Sequence, residues 1–212
     1  DSWSAGDGTN TSYRAPNLVP GLNGVVAVAA GGTHTLILKQ DGTVWAWGSN
    51  SNGQLGDGTT TNRFSPVRVG SLSSVTAIAA GGLHSLALKS DGTVWAWGAN
   101  STGQLGDTTT TQRTSPVQVS GLTGVSAISA GSAHSTALKS AGTVWGWGTN
   151  TSGQLGDGTT TNRSSAVQAS SLTNITGIAA GGTHTLALKN DGTVWGWGSN
   201  GFGQLGDGTT TQ

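Results

Sequence analysis

The stretch Asp41-Gly42-Thr43-Val44-Trp45-Ala46-Trp47-Gly48 decides the fold of this chain. It reads as a tight turn followed by a strand that carries two tryptophans on one face. Closely similar stretches occur at 91–98, 141–148 and 191–198, each 50 residues after the one before. A fixed period of this length is typical of a repeat array, so the repeat is the unit from which the fold must be predicted.

The period divides the chain into a short opening segment and four repeats. Gly6-Asp7-Gly8-Thr9 matches Gly56-Asp57-Gly58-Thr59, so the opening segment reads as the end of a repeat. We expect it to supply a closing strand near Asn17 to Val19. The predicted boundaries are 1–24 for the partial repeat, 25–74, 75–124 and 125–174 for three complete repeats, and 175–212 for an incomplete fourth.

Each repeat is predicted to contain four short strands. In the first repeat they lie near 25–30, 33–39, 44–47 and 65–69, with Asp41-Gly42 as a type I′ hairpin turn and Pro66 at the entrance of the last strand. Four strands in about 50 residues is the pattern of a propeller blade. The predicted fold class is all-β: a β-propeller of four-stranded blades, with about four blades per chain, either completed by a second chain or left as an open arc.

Two residue types recur at fixed positions and are predicted to form the blade core. Burying one tryptophan side chain stabilises the fold by about 4–6 kcal/mol at about 25 cal/mol per Å². The histidines have no Cys or Glu beside them, so we expect them to pack between blades rather than to bind a metal. The predicted core residues are His34, Trp45, Trp47, His84, Trp95, Trp97, His134, Trp145, Trp147, His184, Trp195 and Trp197.

Composition disfavours several classes of function. The formal net charge is zero and only 8% of the residues are charged, whereas a nucleic-acid-binding protein usually has a basic face. The longest apolar run, Val25 to Ala30, is far shorter than the roughly 20 residues that span a bilayer. We therefore expect no nucleic-acid partner and no membrane insertion. The chain is rich in Thr, Ser and Asn and has few lysines, which favours an extracellular or cell-surface location.

No arrangement of residues typical of catalysis is visible. The chain has no Cys and no Glu, and no Ser-His-Asp set or pair of carboxylates can be assembled from its spacing. The Gly-Asp-Gly-Thr turns have too few oxygen ligands for a calcium loop, and the run Gly53 to Gly58 lacks the lysine of a phosphate-binding loop. We expect no enzyme activity, cofactor or metal. The recurring Arg63, Arg113 and Arg163 are predicted to bridge blades.

Positions that break the repeat are better candidates for a binding site than the repeated frame. At six positions one repeat has a large or charged residue where other repeats have different, mostly small or polar ones. Aromatic residues and arginine are frequent anchors of interfaces, although sequence drift explains such differences equally well. The candidate protein-binding residues are Tyr13, Arg14, Phe64, Arg68, Leu83 and Phe202.

One repeat read in full carries a specific signature. It consists of Ala30-Gly31-Gly32-Thr33-His34-Thr35-Leu36, Asp41 to Gly48, Asn50, and Gly53-Gln54-Leu55-Gly56. This series resembles the repeat of the regulator of chromosome condensation family, and it covers essentially the whole chain. Kelch repeats share the period and the double glycine but not the Gly-Gly-x-His step. The resemblance implies a propeller, typically of seven blades.

The activities of that family suggest several functions. Nuclear members act as exchange factors on a small GTPase through insertions and tails that we do not find in this sequence. Plant photoreceptors of this fold use a Trp/Arg cluster where this chain has Thr33, Leu83, Ala133 and Thr183. The compact repeats are most similar in style to bacterial secreted members such as the propeller-type β-lactamase inhibitor, which binds its enzyme with the loops of one face.

The leading hypothesis is a non-catalytic protein-binding or scaffold propeller, bacterial and extracellular. The alternative is a structural protein that assembles into a ring or filament, or a duplicated or designed propeller without a ligand; a lectin or an exchange factor is less favoured. Unpaired blade faces would expose Trp, Leu and strand edges. We therefore expect a homo-oligomer joined through the terminal blades, with another protein as a further partner.

Overall fold

The computed structural model describes residues 5–9 and 11–211, and all regular structure within them is β-strand. None of these residues forms a helix, so none forms an apolar helix that could cross a membrane. The strands are β1 (Val25–Ala30), β2 (His34–Lys39), β3 (Val44–Gly48), β4 (Arg63–Arg68), β5 (Val75–Ala80), β6 (His84–Lys89), β7 (Val94–Gly98), β8 (Arg113–Gln118), β9 (Val125–Ala130), β10 (His134–Lys139), β11 (Val144–Gly148), β12 (Arg163–Gln168), β13 (Ile175–Ala180), β14 (His184–Lys189) and β15 (Val194–Gly198).

The strands form four antiparallel sheets that follow the chain in order. Sheets β1–β4, β5–β8 and β9–β12 have four strands each, and β13–β15 form a three-stranded sheet. We call these blades 1 to 4. Their first strands line the inside of the array, with β1 packed on β5, β5 on β9 and β9 on β13. The predicted all-β propeller of four-stranded blades is confirmed.

The hairpin between the second and third strands differs from the predicted type I′ turn. Such a turn needs a positive φ at both central residues, but of Asp41 and Gly42 only Gly42 has one, at 76°. The Asp41 carboxylate accepts hydrogen bonds from the backbone N–H and the hydroxyl of Thr43. This side-chain bond fixes a longer loop that closes with Lys39 N donating to Thr43 O. The turn type was therefore predicted wrongly, although its position was right.

The fourth strand begins earlier than the sequence suggested. β4 starts at Arg63, so Pro66 lies inside the strand and not at its entrance. Its missing N–H is tolerated because β4 is the outer edge of the sheet and pairs with β3 alone.

Neighbouring blades meet across a continuous apolar core. In β6, Leu86 and Leu88 face the next blade, whereas Ala87 belongs to the core shared with the preceding one. In β7 the same alternation places Val94 toward the next blade and Trp97 toward the preceding one. Strands β6 and β7 therefore each contribute to two interfaces.

The two tryptophans of each pair are buried to different depths. Trp97 and Trp147 are fully buried and Trp47 is 4% exposed. The first members of the pairs, Trp45, Trp95 and Trp145, are only half-buried, and Trp195 is 50% exposed. The first member of each pair lies toward the hairpin side of the blade, where Trp95 and Trp145 pack against the core clusters as half-buried rings.

The four blades form an arc with uncovered faces at both ends. At one end Val26 and Val28 of β1 are 60% and 73% exposed; at the other, Val194 of β15 is 66% exposed. Residues 11–24 form no strand, and within the described residues blade 4 has no fourth strand. The closing strand expected near Asn17 to Val19 is thus not formed within a single chain.

Candidate protein-binding surface

One end of the blades is built from two connections that lie side by side. Ser49, which follows β3, donates its backbone N–H to the carbonyl of Thr33, between β1 and β2, at 2.9 Å. The same bond joins Ala99 to Leu83 and Thr149 to Ala133. We call this end the loop face; the hairpins between the second and third strands form the opposite, hairpin face.

A buried asparagine organises the long loop of each blade. The Asn50 side-chain amide donates to the carbonyls of Thr59 and Thr61, both at 3.0 Å, and to the carboxylate of Asp57 at 3.1 Å. Its carbonyl oxygen accepts the backbone N–H of Leu55 at 2.9 Å. Asn100, Asn150 and Asn200 hold the equivalent loops through equivalent bonds. The loop face is therefore a rigid surface despite its irregular backbone.

An arginine–aspartate pair completes each loop. Arg63 contacts the Asp57 carboxylate at 2.7 Å, and the pair recurs as Arg113–Asp107 and as Arg163–Asp157. Burial raises the pKa of Asp57, but hydrogen bonds from Thr59 and Arg63 outweigh it and leave the pKa below its ordinary value. Each arginine binds within its own repeat, so the prediction that these arginines bridge blades is wrong.

We expect Asp107→Asn to reduce the free energy of unfolding by about 1–3 kcal/mol, because the nearly buried Asp107 carboxylate accepts hydrogen bonds from Arg113 and Thr109 that an amide group cannot all accept. Urea unfolding measures the change. Asp91→Asn is the matched control, because Asp91 lies in an exposed hairpin. Its carboxylate accepts hydrogen bonds from Thr93 and has Lys89 at 3.8 Å. Asp91→Asn should reduce the free energy of unfolding clearly less than Asp107→Asn does. Equal losses for both variants would show that the loop network adds nothing to stability.

The repeated histidines bond from blade to blade. His34 Nε2 lies 2.8 Å from Ser85 Oγ, and that hydroxyl donates to the carbonyl of Gln54 at 2.8 Å. The same carbonyl accepts the indole N–H of Trp97 at 2.9 Å. Since the serine hydroxyl donates onward, the histidine must donate to it, which places the proton on Nε2. His84 with Ser135 and His134 with Thr185 repeat the arrangement.

Burial holds these histidines neutral. It lowers the pKa of His34 and of His134 to about 4 and that of His84 to about 3. Each is bonded to a hydroxyl that is itself committed to a backbone carbonyl, so the three rings act in the interfaces between blades. Within residues 5–9 and 11–211 there is no group of three or more His or Asp side chains that could hold a metal ion.

Two of the candidate binding residues lie on the loop face. Leu83 is 41% exposed and stands between β5 and β6 of blade 2. Phe202 is 97% exposed and lies in the loop of blade 4. Its counterpart Thr102 faces the following blade, where it donates to the Ala133 carbonyl at 3.4 Å. Phe202 thus projects toward the uncovered end of the arc, and the two residues are not neighbours in adjacent blades.

The other four candidates lie in the opening segment and on the outer strand of blade 1. Tyr13 is 46% exposed and donates its hydroxyl to Asp7. Tyr13 thus takes the place that arginine has in the complete loops. Arg14 is exposed in the same segment. Phe64, half-buried, and Arg68, exposed, lie on the outer strand β4, and the Phe64 carbonyl accepts the N–H of Gly8. Tyr13 and Phe64 are thus on neighbouring segments, but the six residues do not form one patch.

Several residues that hold the loop face were not predicted from the sequence to have this role. Asn50, the Gln54 carbonyl and the hydroxyl of Ser85 each take part in two or more of its hydrogen bonds. Their recurrence every 50 residues was the available signal. The lysines that lie over the half-buried rings were also missed: Nζ is 4.7 Å from the ring centre for Lys39 and Trp45, 5.6 Å for Lys89 and Trp95, and 4.2 Å for Lys139 and Trp145.

Known proteins share this fold and its repeat. A family model described as the RCC1-like domain matches residues 1–212. Human WBSCR16 superposes with a TM-score of 0.80 and 29% identity over 89% of this chain and 51% of its own. Prp20p of Saccharomyces cerevisiae, whose structure was described with its binding to Gsp1p and histones, superposes with a TM-score of 0.79 and 26% identity, over 90% of this chain and 49% of its own.

A curated relative matches over a shorter stretch. The E3 ubiquitin-protein ligase HERC2 of Homo sapiens is 46% identical over 61 residues, which are 25% of this chain and 1% of that protein. The chain thus spans about half the length of the two solved structures and a small part of this relative. What is shared is the blade and its repeat.

Proposed function

The chain belongs to the RCC1-like domain family, and on this basis we propose that it is a non-catalytic scaffold whose loop face binds another protein. The observation that carries the proposal is a constant frame with variable exposed positions. The Asn50-type network recurs in all four blades, while the residue before each β-strand histidine changes from Thr33 to Leu83, Ala133 and Thr183. A rigid surface with variable side chains suits selective protein recognition.

The hairpin face supports a lectin function less well. Sugars stack on the open face of an aromatic ring, but lysine ammonium groups lie over Trp45, Trp95 and Trp145. A glycan array tests this alternative directly, and nucleotide release from a small GTPase tests an exchange-factor function.

An extracellular bacterial location stays part of the proposal, supported only by the Thr- and Ser-rich, low-charge composition. Detection of the chain in culture medium tests it.

The test of the scaffold function compares two single substitutions in blade 2. Leu83→Asp places a charge on the loop face, whereas Ser90→Asp places one on the hairpin face; both positions are exposed. A partner captured by the immobilised chain and identified by mass spectrometry should bind the Leu83→Asp variant at least about tenfold more weakly, as expected when a charge enters an apolar contact. Binding to the Ser90→Asp variant should be unchanged. Equal effects of the two substitutions, or capture of no specific partner, would contradict the proposal.

A second candidate function is self-assembly through the ends of the arc. The observation that favours it is the exposure of core-type residues at both ends, Val28 at one and Trp195 at the other. Contiguous apolar surface of this kind marks an interaction site in a soluble protein.

A further inference from the structure

Three asparagines of this chain are followed directly by glycine, in the pairs Asn23–Gly24, Asn52–Gly53 and Asn200–Gly201. In such a pair the glycine nitrogen can attack the amide carbon of the asparagine side chain, because glycine has no Cβ to obstruct the approach. The fold places the three pairs in different surroundings, so the same dipeptide has a different reactivity at each position.

The pair Asn23–Gly24 is open to solvent. It lies in the turn before β1, and both of its residues are exposed. Among the residues that the structure describes, none forms a hydrogen bond with the Asn23 side chain or with the N–H of Gly24. A Cβ added at Gly24 would meet no atom within 4 Å. Neither the attacking nitrogen nor the amide carbon is therefore held in place.

This exposure is a property of the turn that recurs in each blade. The second residue of the turn has a positive φ throughout, 63° at Gly24, 58° at Ser74 and 68° at Gly124. The turns that contain Ser74 and Gly124 belong to blades with a neighbour on either side, and both residues are exposed there too. The surroundings of Asn23 thus follow from the local backbone.

In the pair Asn52–Gly53 the attacking nitrogen is held. The N–H of Gly53 donates to the carbonyl of Asn50 at 2.8 Å, inside the long loop of blade 1. Gly53 is buried, and a Cβ added to it would lie 2.7 Å from the backbone of Thr114 in blade 2. Attack by this nitrogen would break a hydrogen bond within a tightly packed loop.

In the pair Asn200–Gly201 the amide carbon is held. Asn200 is fully buried, and its side-chain amide donates to the carbonyls of Thr209 and Thr211 at 3.2 and 2.8 Å. Its side-chain oxygen accepts the N–H of Leu205 at 3.0 Å. The amide would have to leave all three partners before the glycine nitrogen could attack it.

We propose that Asn23 is a site of spontaneous covalent modification, at which deamidation gives aspartate and isoaspartate while Asn52 and Asn200 stay intact. The Gly24 nitrogen forms a bond to Asn23 Cγ, the bond from Cγ to Nδ2 breaks, and the proton lost by Gly24 leaves with the amide nitrogen as ammonia. Water then opens the cyclic imide at Cγ, which gives aspartate, or at the main-chain carbonyl carbon, which gives isoaspartate. The reaction consumes water, releases ammonia and needs no oxidant or reductant.

The modification changes the charge and the backbone of the hairpin face. Asn23 and Gly24 line one depression together with Lys39, Gln40 and Asp41. The Gly24 carbonyl accepts the N–H of Gln40 at 2.8 Å, so the turn is bonded to the hairpin. Deamidation adds a negative charge here, and isoaspartate also lengthens the main chain of the turn. The inference goes beyond the scaffold function proposed above and does not depend on it, because that function lies on the loop face.

The first test follows the three pairs in the full chain during prolonged incubation in mildly alkaline buffer. Trypsin cleaves after lysine and arginine and so places the pairs on separate peptides, 15–39, 40–63 and 190–212. Mass spectrometry with fragmentation measures deamidation at each asparagine. We expect Asn23 to deamidate at least about tenfold faster than Asn52 or Asn200, because tenfold in rate corresponds to about 1.4 kcal/mol, the order of one hydrogen bond. Equal rates in the folded chain would overturn the proposal.

The same incubation in concentrated urea separates the effect of the fold from that of the sequence. The unfolded chain has none of the hydrogen bonds that hold Gly53 and Asn200, so the three pairs should deamidate at similar rates. If Asn23 kept its full advantage in urea, the neighbouring residues in the sequence would set the rates, and the structural inference would be wrong.

Two substitutions that the other repeats already contain complete the test. Gly24→Ser introduces the residue that blade 2 has at the same position with a φ of 58°, so the turn accepts it. Its Cβ obstructs the attacking nitrogen, and deamidation of Asn23 should fall several-fold. Asn23→Ser, after Ser73 of blade 2, removes the reacting amide. An isoaspartyl methyltransferase with a labelled methyl donor should label the incubated natural chain far more than the incubated Asn23→Ser variant. Equal labelling of the two chains would place the isoaspartate elsewhere and contradict the assignment.

Discussion

Lowering the pH from 7 to 5 is expected to remove about 6 kcal/mol from the free energy of unfolding, because three buried histidines must remain neutral in the folded chain. The folded pKa of His84 is about 3, and those of His34 and His134 are about 4, against 6.5 in the unfolded chain. A depressed pKa means that the unfolded state binds the proton first. The stability is fully present above pH 6.5 and is lost as the pH falls toward 4.

The magnitude follows from proton linkage. Each histidine costs about 2 kcal/mol by pH 5, and the steepest slope for three is about 4 kcal/mol per pH unit. This is a large share of the roughly 5–15 kcal/mol that stabilises a typical domain. The aspartates do not contribute in this window, because their pKa values are lowered from an ordinary value of 3.8, so the stability that they supply is lost only at more acidic pH.

Urea unfolding between pH 4.5 and 7.5, conditions chosen within the histidine window, measures the slope. His84→Gln keeps a neutral donor near Ser135 and should reduce the slope by about one third, since one of the three protons no longer binds. Asp91→Asn is the control, because its exposed carboxylate has a lowered pKa outside this range. A slope that His84→Gln leaves unchanged would show that the buried rings do not govern the acid sensitivity.

The period of the sequence predicted the blade because each strand obeys a simple alternation. Val94 and Ala96 face one neighbour and Trp95 and Trp97 the other, as a period of two requires. Alternation says which side of the sheet a residue faces, but not how far it lies from the end of the sheet. Trp95 is therefore half-buried near the hairpin and Trp97 fully buried near the loop face, a difference that pattern alone does not predict.

Local hydrogen bonds account for the features that the sequence analysis missed. The hairpin is set by the Asp41 carboxylate on the N–H of Thr43, which competes with the backbone geometry of a type I′ turn. Arg63 bonds to Asp57, six residues before it, because the loop folds back on itself around Asn50. Such contacts depend on the path of the loop, and the sequence shows only that these residues recur.

The candidate binding residues show a different limit. Sequence comparison between repeats found Phe202 and Leu83 because they differ from their counterparts, and both are exposed. The exposure of Phe202 has a structural origin that the comparison between repeats does not contain. Phe202 faces the side of blade 4 on which no blade packs, whereas its counterpart Thr102 contacts Ala133 of the next blade. Deviation from a repeat therefore identifies surface positions, while their role depends on where the arc is uncovered.

We expect Trp97→Ala to cost about 3–5 kcal/mol of unfolding free energy, the largest effect of any single substitution proposed for this chain. The ring is fully buried in the core between blades 1 and 2, with its N–H bonded to the Gln54 carbonyl at 2.9 Å. Removing it leaves a cavity between two sheets, and the backbone hydrogen bonds within each sheet limit how far the cavity can close. The same carbonyl retains the hydroxyl of Ser85, so part of the polar network survives.

Two further variants separate the ring from its hydrogen bond. Trp97→Phe keeps most of the apolar surface but loses the N–H, and should cost less than Trp97→Ala, with about 1 kcal/mol assigned to the bond. Phe202→Ala removes a ring that is 97% exposed and should change stability by less than about 0.5 kcal/mol. Unfolding curves measured at the same dilute concentration compare the three. If Trp97→Ala reduced the free energy of unfolding no more than Phe202→Ala, the paired rings would not hold successive blades together. The Trp97 ring, which two sheets enclose, would then contribute no more to stability than the Phe202 ring in solvent.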